Sequence, residues 1–492
     1  MYMNQLTRRR YQFGWLFIVM IGSFLSGCHA SPDLGSLYNR EARFHDTNRN
    51  PVIVIPGILG SKLVQQDTGR VVWGAFSGHY ADPSKADGAR LFALPMKKGT
   101  ALRDLHDDVV PNGALDRIKV NVFGLPVELN AYVNILGTLG VGGYRDQTLG
   151  SLGQIDYGTD HYTCFQFDYD WRRDLVDNAR RLDLFIKEKR KFVQGKLQEQ
   201  FGEGDYPVKF DIVAHSLGGL LTRYYLRYGG ADLPSDGSVP EVTWAGARNV
   251  EHAILVGAPN GGSALVLEQL VWGTKFAFFL PRYPAAVLGT MPALYELLPR
   301  KRHRRVIDGD DPDGEGVDIY DRLLWERLHW GLADPRQDGV LAELLPGIND
   351  VEERRAIAVD HLEKCLKRAK QFHAAMDQTA RPPSGTKLYL MAGDAVRTIS
   401  QLSVDMSNGT MKVSGYEAGD GTVGRSEALQ DERMGLDEEQ WTPRVRTPIA
   451  WSQVLFLFTD HLGLTSDHAF TDNVLYILLE EPRDESLVEI HR

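Results

Sequence analysis

Six short apolar runs constrain the fold of this chain more than any other feature of its sequence. In the first run, Val52 to Ile55, every residue is apolar, which is typical of a strand buried on both faces of a parallel sheet. The six runs read PVIVIPGILG, YTCFQFDYD, VKFDIVA, HAILVGA, KLYLMAG and QVLFLFTD. Helical periodicity separates several of them, over Leu175 to Phe201, Leu217 to Tyr228 and Ala469 to Glu481. Strands that alternate with helices predict an α/β fold with a mostly parallel sheet.

Two intervals interrupt this alternation. Residues 276–383 are rich in Trp, Arg and Leu, with helical patches and no convincing core strand, so we expect an inserted helical cap there. Residues 65–129 hold short aromatic and glycine-containing pieces, which indicate a lid or loop. The core is then expected in two parts, residues 51–275 and 384–492.

The N-terminus has the features of an export signal. Basic residues precede an apolar stretch, Phe13 to Phe24, that is shorter than the ~20 residues needed to span a bilayer. The following LSGC resembles the lipobox of bacterial lipoproteins, which implies a signal peptide over residues 1–27 and lipidation of Cys28. A flexible tether is expected over residues 28–50. A plain signal peptide or an uncleaved anchor is the alternative.

The residue after the cysteine bears on location. His29 stands where an inner-membrane retention signal usually has Asp, so the outer membrane of a bacterial envelope is favoured. The membrane is therefore expected to be a partner through lipidated Cys28.

Composition excludes other classes of function. The net charge of -10 argues against a nucleic acid partner. No glycine-rich phosphate loop, zinc spacing or haem motif is found, so we expect no cofactor and no metal. Cys164 and Cys365 could pair in an oxidising compartment, but Cys164 lies in an apolar run and is better explained as a small buried side chain.

A serine lies where the third apolar run gives way to a helical pattern, in AHSLGG. This is a variant of the nucleophile elbow, a sharp turn that projects the hydroxyl of Ser216 above the sheet edge. Ala214 and Gly218 are small, as the close approach of strand and helix requires. The N–H of Leu217 would then point to a developing oxyanion. A serine that only caps the helix is the alternative.

A nucleophilic serine needs a base and an orienting acid, in the order Ser, Asp or Glu, His in this fold. Asp420, between glycines on an irregular stretch, is the candidate acid, and a plain Asp-Gly turn is its alternative. His461, directly after a strand-like run, is the candidate base. His468 is expected to be solvated in the first turn of the last helix, behind Ser466 or Asp467 as cap.

The end of the first strand offers a second oxyanion donor. IPGILGS brings Gly57, Ile58 and Leu59 to this point, and the N–H of Leu59, or of Ile58, would face the serine. A tight glycine turn without such a role is the alternative.

Two charged motifs outside this site are expected to be structural. In YDWRRD, we expect Arg172 to pair with Asp168 or Asp170. The basic run RKRHRR, Arg300 to Arg305, could bind anionic head groups, but the acidic DGDDPDGEG follows it, so a solvated cap loop is expected.

Taken together, these motifs resemble the lecithin:cholesterol acyltransferase family. The resemblance runs from about Pro51 to Leu479 and ends with the terminal histidine. Its marks are, in order, IPGILGSKL, VVWG, FDYDWRRD, AHSLGG, VGAPNGGS, MPALYELLP and GDGTV.

The resemblance implies an α/β-hydrolase fold and a serine enzyme, and the lipobox adds the expectation that this enzyme is lipid-anchored. It implies Ser216 as nucleophile, Asp420 as acid and His461 as base, with Leu59 and Leu217 as oxyanion donors. The acyl group would come from a phospholipid or other lipid ester and pass to a lipid alcohol or to water. The alternatives are a phospholipase, lipase, peptidase or small-ester hydrolase without transfer, and, outside enzymes, a catalytically silent envelope lipoprotein.

Overall fold

The structure is a computed structural model. It describes residues 33–43, 49–74, 81–114, 117–122, 125–130, 132–147, 163–275, 281–432 and 446–482. The expected signal peptide and Cys28 lie outside the described residues.

The strands follow one another along the chain with helices between many of them. They are β1 (Val52–Ile55), β2 (Ser61–Gln65), β3 (Val71–Trp73), β4 (Val109–Ala114), β5 (Arg117–Val122), β6 (Leu125–Asn130), β7 (Cys164–Gln166), β8 (Phe210–His215), β9 (Val250–Val256), β10 (Val306–Asp308), β11 (Lys387–Gly393), β12 (Val396–Val404), β13 (Met411–Gly419) and β14 (Gln453–Leu457).

The helices of the described residues include two long ones. They are α1 (Leu34–Leu37), α2 (Asn39–Ala42), α3 (Ala86–Phe92), α4 (Val133–Val141), α5 (Leu175–Phe201), α6 (Leu217–Tyr228), α7 (Ala264–Trp272), α8 (Ala285–Leu288), α9 (Pro292–Tyr295), α10 (Arg322–Leu328), α11 (Asp338–Leu344), α12 (Val351–Met376), α13 (Arg425–Leu429) and α14 (His468–Leu479). Short 3₁₀ turns join several of them.

The central sheet has the order β14-β11-β9-β8-β1-β7, and each neighbouring pair is parallel. Its strands are the six apolar runs, so the prediction of a mostly parallel α/β sheet is confirmed. Alternate residues of β1 belong to different apolar clusters: Ile53 and Ile55 on one face, Val52 and Val54 on the other. Helices α5 and α6 contribute to the first cluster, and α4 and α14 to the second. Both faces of β1 are therefore buried, which explains why β1 is apolar at every position.

A second, smaller sheet lies outside the central one. The antiparallel hairpin β12–β13 pairs with β10 in the order β10-β12-β13. Asp420 was expected on an irregular stretch at a strand end; the residues before it form strand β13, which ends at Gly419, and Asp420 follows this strand directly. Asp420 therefore follows a hairpin that lies outside the central sheet.

The interval 65–129 is also more regular than short loop pieces would be. Strands β2, β3 and β4 form an antiparallel sheet, and β5 pairs with β6. This interval therefore adds antiparallel sheet to a parallel core.

The segment expected to be a tether contains structure. Helices α1 and α2 lie within residues 28–50, and the hydroxyl of Tyr38 donates a hydrogen bond to Asp472 on α14 at 3.0 Å. Leu34 and Tyr38 pack with Leu475 of the same helix. Part of this segment is thus held against the core rather than extended from it.

The two remaining cysteines, Cys164 and Cys365, are free and buried. Burial raises the pKa of each thiol well above its ordinary value, so both are held as neutral apolar groups. In the part of the chain that the structure describes, no helix is both long and apolar enough to cross a bilayer.

Candidate active site

Ser216 occupies a strained turn between β8 and α6. Its backbone has φ 53° and ψ -122°, a conformation that costs a non-glycine residue about 1–3 kcal/mol and persists only where the surroundings hold it. Strand and helix approach so closely here that a Cβ on Gly218 would lie 2.7 Å from the carbonyl oxygen of Ile55. The small residue two positions after the serine is therefore required by backbone contact.

Asp420 and His461 are joined by a hydrogen bond. Nδ1 of His461 donates to Oδ2 of Asp420 at 2.7 Å, and the backbone N–H of His461 donates to the carbonyl of Asp420 at 2.9 Å. The other carboxylate oxygen accepts from the backbone N–H groups of Thr422 (2.9 Å) and Val423 (2.7 Å). These contacts fix the carboxylate, and they leave Nε2 of the imidazole ring for proton transfer.

The end of β9 brings the serine and the histidine close together. The backbone N–H of Ser216 donates to the carbonyl of Val256 at 2.8 Å. The next residue, Gly257, has φ 57°, and a Cβ there would lie 3.1 Å from Cε1 of His461. Among the described residues no hydrogen bond joins the Ser216 hydroxyl to His461. Such contacts commonly tighten only when substrate binds.

The turn after β1 lies against the serine. A Cβ on Gly57 would be 2.7 Å from Cβ of Ser216. The turn is closed by the N–H of Gly60 donating to the carbonyl of Gly57 (3.1 Å), and Trp73 Nε1 donates to the carbonyl of Leu59 at 2.7 Å.

Leu59 has φ 63°, a second non-glycine residue in the left-handed region. Leu217 is the first residue of α6, so its N–H has no acceptor within the helix. Both predicted oxyanion donors therefore belong to segments that adjoin Ser216, and their role in binding an oxyanion stays a prediction.

His215 and Tyr132 also belong to this site, and neither was predicted from the sequence. The hydroxyl of Tyr132 accepts from the N–H of Gly57 at 2.8 Å and lies 3.2 Å from Nδ1 of His215. Nε2 of His215 lies 3.3 Å from the carbonyl oxygen of His461. Burial, and then the nearby His461, lower the pKa of His215 to about 3, so the ring is neutral.

This neutral ring links two parts of the site. Because the Tyr132 oxygen already accepts from Gly57, its proton is available to donate to Nδ1 of His215, and Nε2–H of His215 can then donate to His461. The position of His215 next to the serine was a possible signal in the sequence. Tyr132 has no such signal, because it is distant in sequence from every other residue of the site.

His468 lies apart from this arrangement. It is the first residue of α14, it is exposed, and Asp467 caps the helix by accepting from the N–H of Ala469. The predicted helical and exposed position of His468 is confirmed.

One cluster of possible metal ligands lies at the other end of the sheet. Asp211, Glu251 and His252 are near the amino ends of β8 and β9, whereas Ser216 follows the carboxyl end of β8. Oδ1 of Asp211 accepts from Nδ1 of His252 at 2.9 Å and from Asn50 at 3.1 Å. Burial opposes the charged imidazolium, but Asp211 outweighs it and raises the pKa of His252. We therefore describe the cluster as an ion pair.

Residues 143–331 match the family model described as lecithin:cholesterol acyltransferase. In this segment the chain is LCAT-like, that is, similar to the lecithin:cholesterol acyltransferase family. The matched segment includes Ser216 and Leu217 and ends before Asp420 and His461. The match supports an enzyme that acts on acyl esters of lipids.

Solved structures bear on the fold of this LCAT-like chain. A chain in the crystal structure of the Tle4-Tli4 complex aligns with a TM-score of 0.51 at 16% sequence identity, covering 88% of this chain and 98% of that chain. At this identity the likeness concerns the fold alone, and it agrees with the α/β-hydrolase architecture. No curated protein gives a significant match.

Proposed function

We propose that this LCAT-like chain is a serine-dependent enzyme that moves an acyl group from a phospholipid-like ester, through an acyl-Ser216 intermediate, to an alcohol or to water. The observation that carries the proposal is the 2.7 Å hydrogen bond between His461 and Asp420 beside the strained turn at Ser216. An oriented imidazole next to a serine in a sharp turn is the arrangement that activates a hydroxyl.

In the first half of the reaction, Oγ of Ser216 attacks the ester carbonyl carbon while Nε2 of His461 takes its proton. The carbonyl oxygen becomes an oxyanion, which the N–H groups of Leu217 and Leu59 stabilise. The intermediate then collapses, the bond to the leaving alcohol breaks, and His461 returns the proton to that alcohol. Asp420 stabilises the imidazolium between these two transfers.

In the second half, an acceptor hydroxyl gives its proton to His461 and attacks the acyl-Ser216 carbonyl. The bond between the acyl carbon and Oγ of Ser216 then breaks, and His461 returns the proton to Oγ. A lipid alcohol yields a new ester, and water yields a fatty acid. Exclusion of water favours transfer. We propose that residues 276–383 serve as the cap that does this, since the helices α8 to α12 lie within this interval.

The enzyme is further proposed to be anchored in a bacterial envelope, in the outer membrane, by lipidation of Cys28. Cys28→Ser should then move the protein from the membrane pellet to the soluble fraction. A variant that remains in the pellet would contradict a lipid anchor as the sole attachment.

The test of the activity combines covalent labelling with product analysis. A fluorophosphonate should label the wild type and the control Ser238→Ala, at an exposed serine, but should not label Ser216→Ala. Purified enzyme should also be given phospholipid vesicles that contain a sterol or diacylglycerol, and both acylated acceptor and free fatty acid should be followed. Equal labelling of Ser216→Ala would refute the nucleophile assignment.

The products distinguish the remaining possibilities. Fatty acid alone, across a panel of acceptors, indicates a phospholipase or lipase. Turnover of small soluble esters alone would overturn the lipid substrate. If the folded wild type is not labelled and forms no product, the protein is a catalytically silent lipoprotein.

A further inference from the structure

A cavity of about 550 Å³ lies between the basic run 300–305, the segment 315–320 and the end of α12. This volume is within the range of small-molecule sites. Its basic lining residues are Arg300, Lys301, Arg302, Arg304 and Lys370.

The basic run is not the solvated loop expected from its sequence. Arg300, His303 and Arg305 are each no more than 4% exposed. They are buried because carboxylates distant in the chain meet them: Arg300 pairs with Asp377 at 3.0 Å, and Arg305 with Glu417 at 3.1 Å. The expectation of a solvated loop is therefore wrong for half of this run.

The carboxylates of the cavity do not balance its cations. Five basic side chains face three acids in the lining, which are Glu315, Asp318 and Asp377. Asp377 is shared, because it accepts from both Arg300 and Arg302. Glu432, outside the lining, takes a second contact from Arg302. Of the acidic run that was expected to offset the basic one, only Glu315 contributes a carboxylate to the lining.

A further cation lies behind this lining. Arg223 of α6 is 2% exposed, and among the described residues its guanidinium donates only to neutral acceptors, the side-chain oxygens of Asn260 and Gln430 and the carbonyl of Met376. Burial, followed by the charges of Arg227 and Arg300, lowers the pKa of Arg223 well below its ordinary value. This part of the protein therefore holds more buried positive charge than its carboxylates neutralise.

Two lining arginines keep donors without acceptors. Among the described residues, Nη1 of Arg300 and Nε of Arg304 are buried and have no hydrogen-bond partner. Arg304 also has φ 49°, a left-handed conformation that a non-glycine residue adopts only where its surroundings hold it. Buried donors without acceptors are rare, and charged ones are the most costly to leave unpaired.

We infer that this cavity binds a phosphate group carried by a monoester or diester. The excess positive charge and the unpaired guanidinium donors call for an anion with several acceptor oxygens, and a planar guanidinium matches phosphate oxygens closely. The cavity has room for more than the phosphate, so the group it takes is esterified. A soluble phosphate ester and a phospholipid head group share this chemistry.

This site is distinct from the candidate active site. None of its lining residues belongs to the contacts around Ser216, His461 and Asp420. Arg223, which lies behind the lining, follows Ser216 by seven residues on α6, which is about 10 Å along a helix axis. The inference does not depend on the proposed acyl transfer.

The test uses Lys370, which is exposed, and Arg304, which is half-buried, rather than the buried Arg300, so that folding is preserved. Binding of glycerol 3-phosphate to the full chain should be measured by calorimetry for the wild type, Lys370→Gln and Arg304→Gln. The matched control is Lys367→Gln, on the same helix one turn earlier and outside the lining. We expect saturable binding that Lys367→Gln leaves unchanged and that each lining variant weakens about tenfold, as loss of one charge-assisted contact does.

A second arm identifies the source of the phosphate. Flotation with vesicles of phosphatidylcholine, with and without phosphatidylglycerol, is compared for the same four proteins. If anionic vesicles bind the wild type more tightly than the lining variants, and glycerol 3-phosphate competes, the site takes a lipid head group. If soluble ester binds in the same lining-dependent way without such a vesicle effect, the site takes a soluble ester. Absence of saturable binding to the folded wild type, or equal weakening in Lys367→Gln, would overturn the inference.

Discussion

Replacement of Gly57 by alanine should push the turn after β1 away from Ser216. The new Cβ would lie 2.7 Å from Cβ of Ser216 and 3.1 Å from the carbonyl oxygen of His215, where ordinary contacts begin at 3.4 Å. The turn after β1 and the serine must therefore move apart by about 0.7 Å. Gly57 does not have a positive φ, so alanine introduces no backbone strain of its own.

The size of the effect follows from this displacement. A misplacement near 1 Å costs on the order of a hundredfold in rate, so Gly57→Ala should slow labelling of Ser216 and ester turnover by about 30- to 100-fold. Overpacking of this kind also destabilises a fold by about 1–3 kcal/mol, which urea unfolding would measure.

Gly137→Ala is the matched control. Gly137 lies within α4, and a Cβ there meets no atom within 4 Å. It should stabilise the fold by about 0.5–1 kcal/mol, since alanine is the better helix former, and it should leave the labelling rate unchanged. If Gly57→Ala labels as fast as Gly137→Ala, the turn after β1 does not adjoin the reacting serine and the assignment of Leu59 fails with it.

Three further changes have defined outcomes. His461→Ala should lower turnover by about a thousandfold or more, as loss of a triad base does, whereas the exposed His468→Ala should change it by less than about twofold; the opposite pattern would reassign the base. Burial lowers the pKa of His361 from 6.5 in the unfolded chain to about 4 in the folded protein. Protonation therefore favours the unfolded chain, so the free energy of unfolding is undiminished above pH 6.5 and decreases as the pH falls toward 4. In urea titrations the stability difference between wild type and His361→Gln should therefore fall by about 2 kcal/mol from pH 7 to pH 5, and a constant difference would contradict a buried neutral ring. Asp170→Asn removes a charge that pairs with the fully buried Arg172 at 2.8 Å and should cost about 3 kcal/mol in urea unfolding, and a loss near zero would show that Asp107 alone suffices.

Local patterns were sufficient to predict the strands of the central sheet. A strand buried on both faces is a largely apolar run, and this signal is contained in a few consecutive residues. The elbow at Ser216 is similarly local, since its strand, its small neighbours and its helix are contiguous. The predicted partner of Arg172 is confirmed as Asp170, which is two residues away.

The hairpin that carries Asp420 was missed for a specific reason. Alternate residues of β12 face inward, but Thr398 and Ser400 occupy two of those buried positions beside Leu402 and Val404. Polar residues at buried positions remove the alternation of apolar and polar residues that indicates a strand. Hydroxyl groups can occupy such positions when backbone carbonyls satisfy them, as Thr398 does with Val396.

Contacts between residues that are distant along the chain could not be predicted from sequence patterns. Tyr132 meets Gly57 and His215 only because α4 packs beside the sheet end. The basic run from Arg300 is buried because Asp377 lies beside it after folding.

By itself, the sequence determined the fold class, the core strands and the residue types of a serine site, because each depends on neighbours along the chain. The tertiary structure alone decided the strand order, the hydrogen bond that joins Asp420 to His461, and the placement of His215 between them and Tyr132. It also decided which charges of the basic run are neutralised. These features depend on which segments meet in space, and that is set by the packing of the whole sheet and its helices.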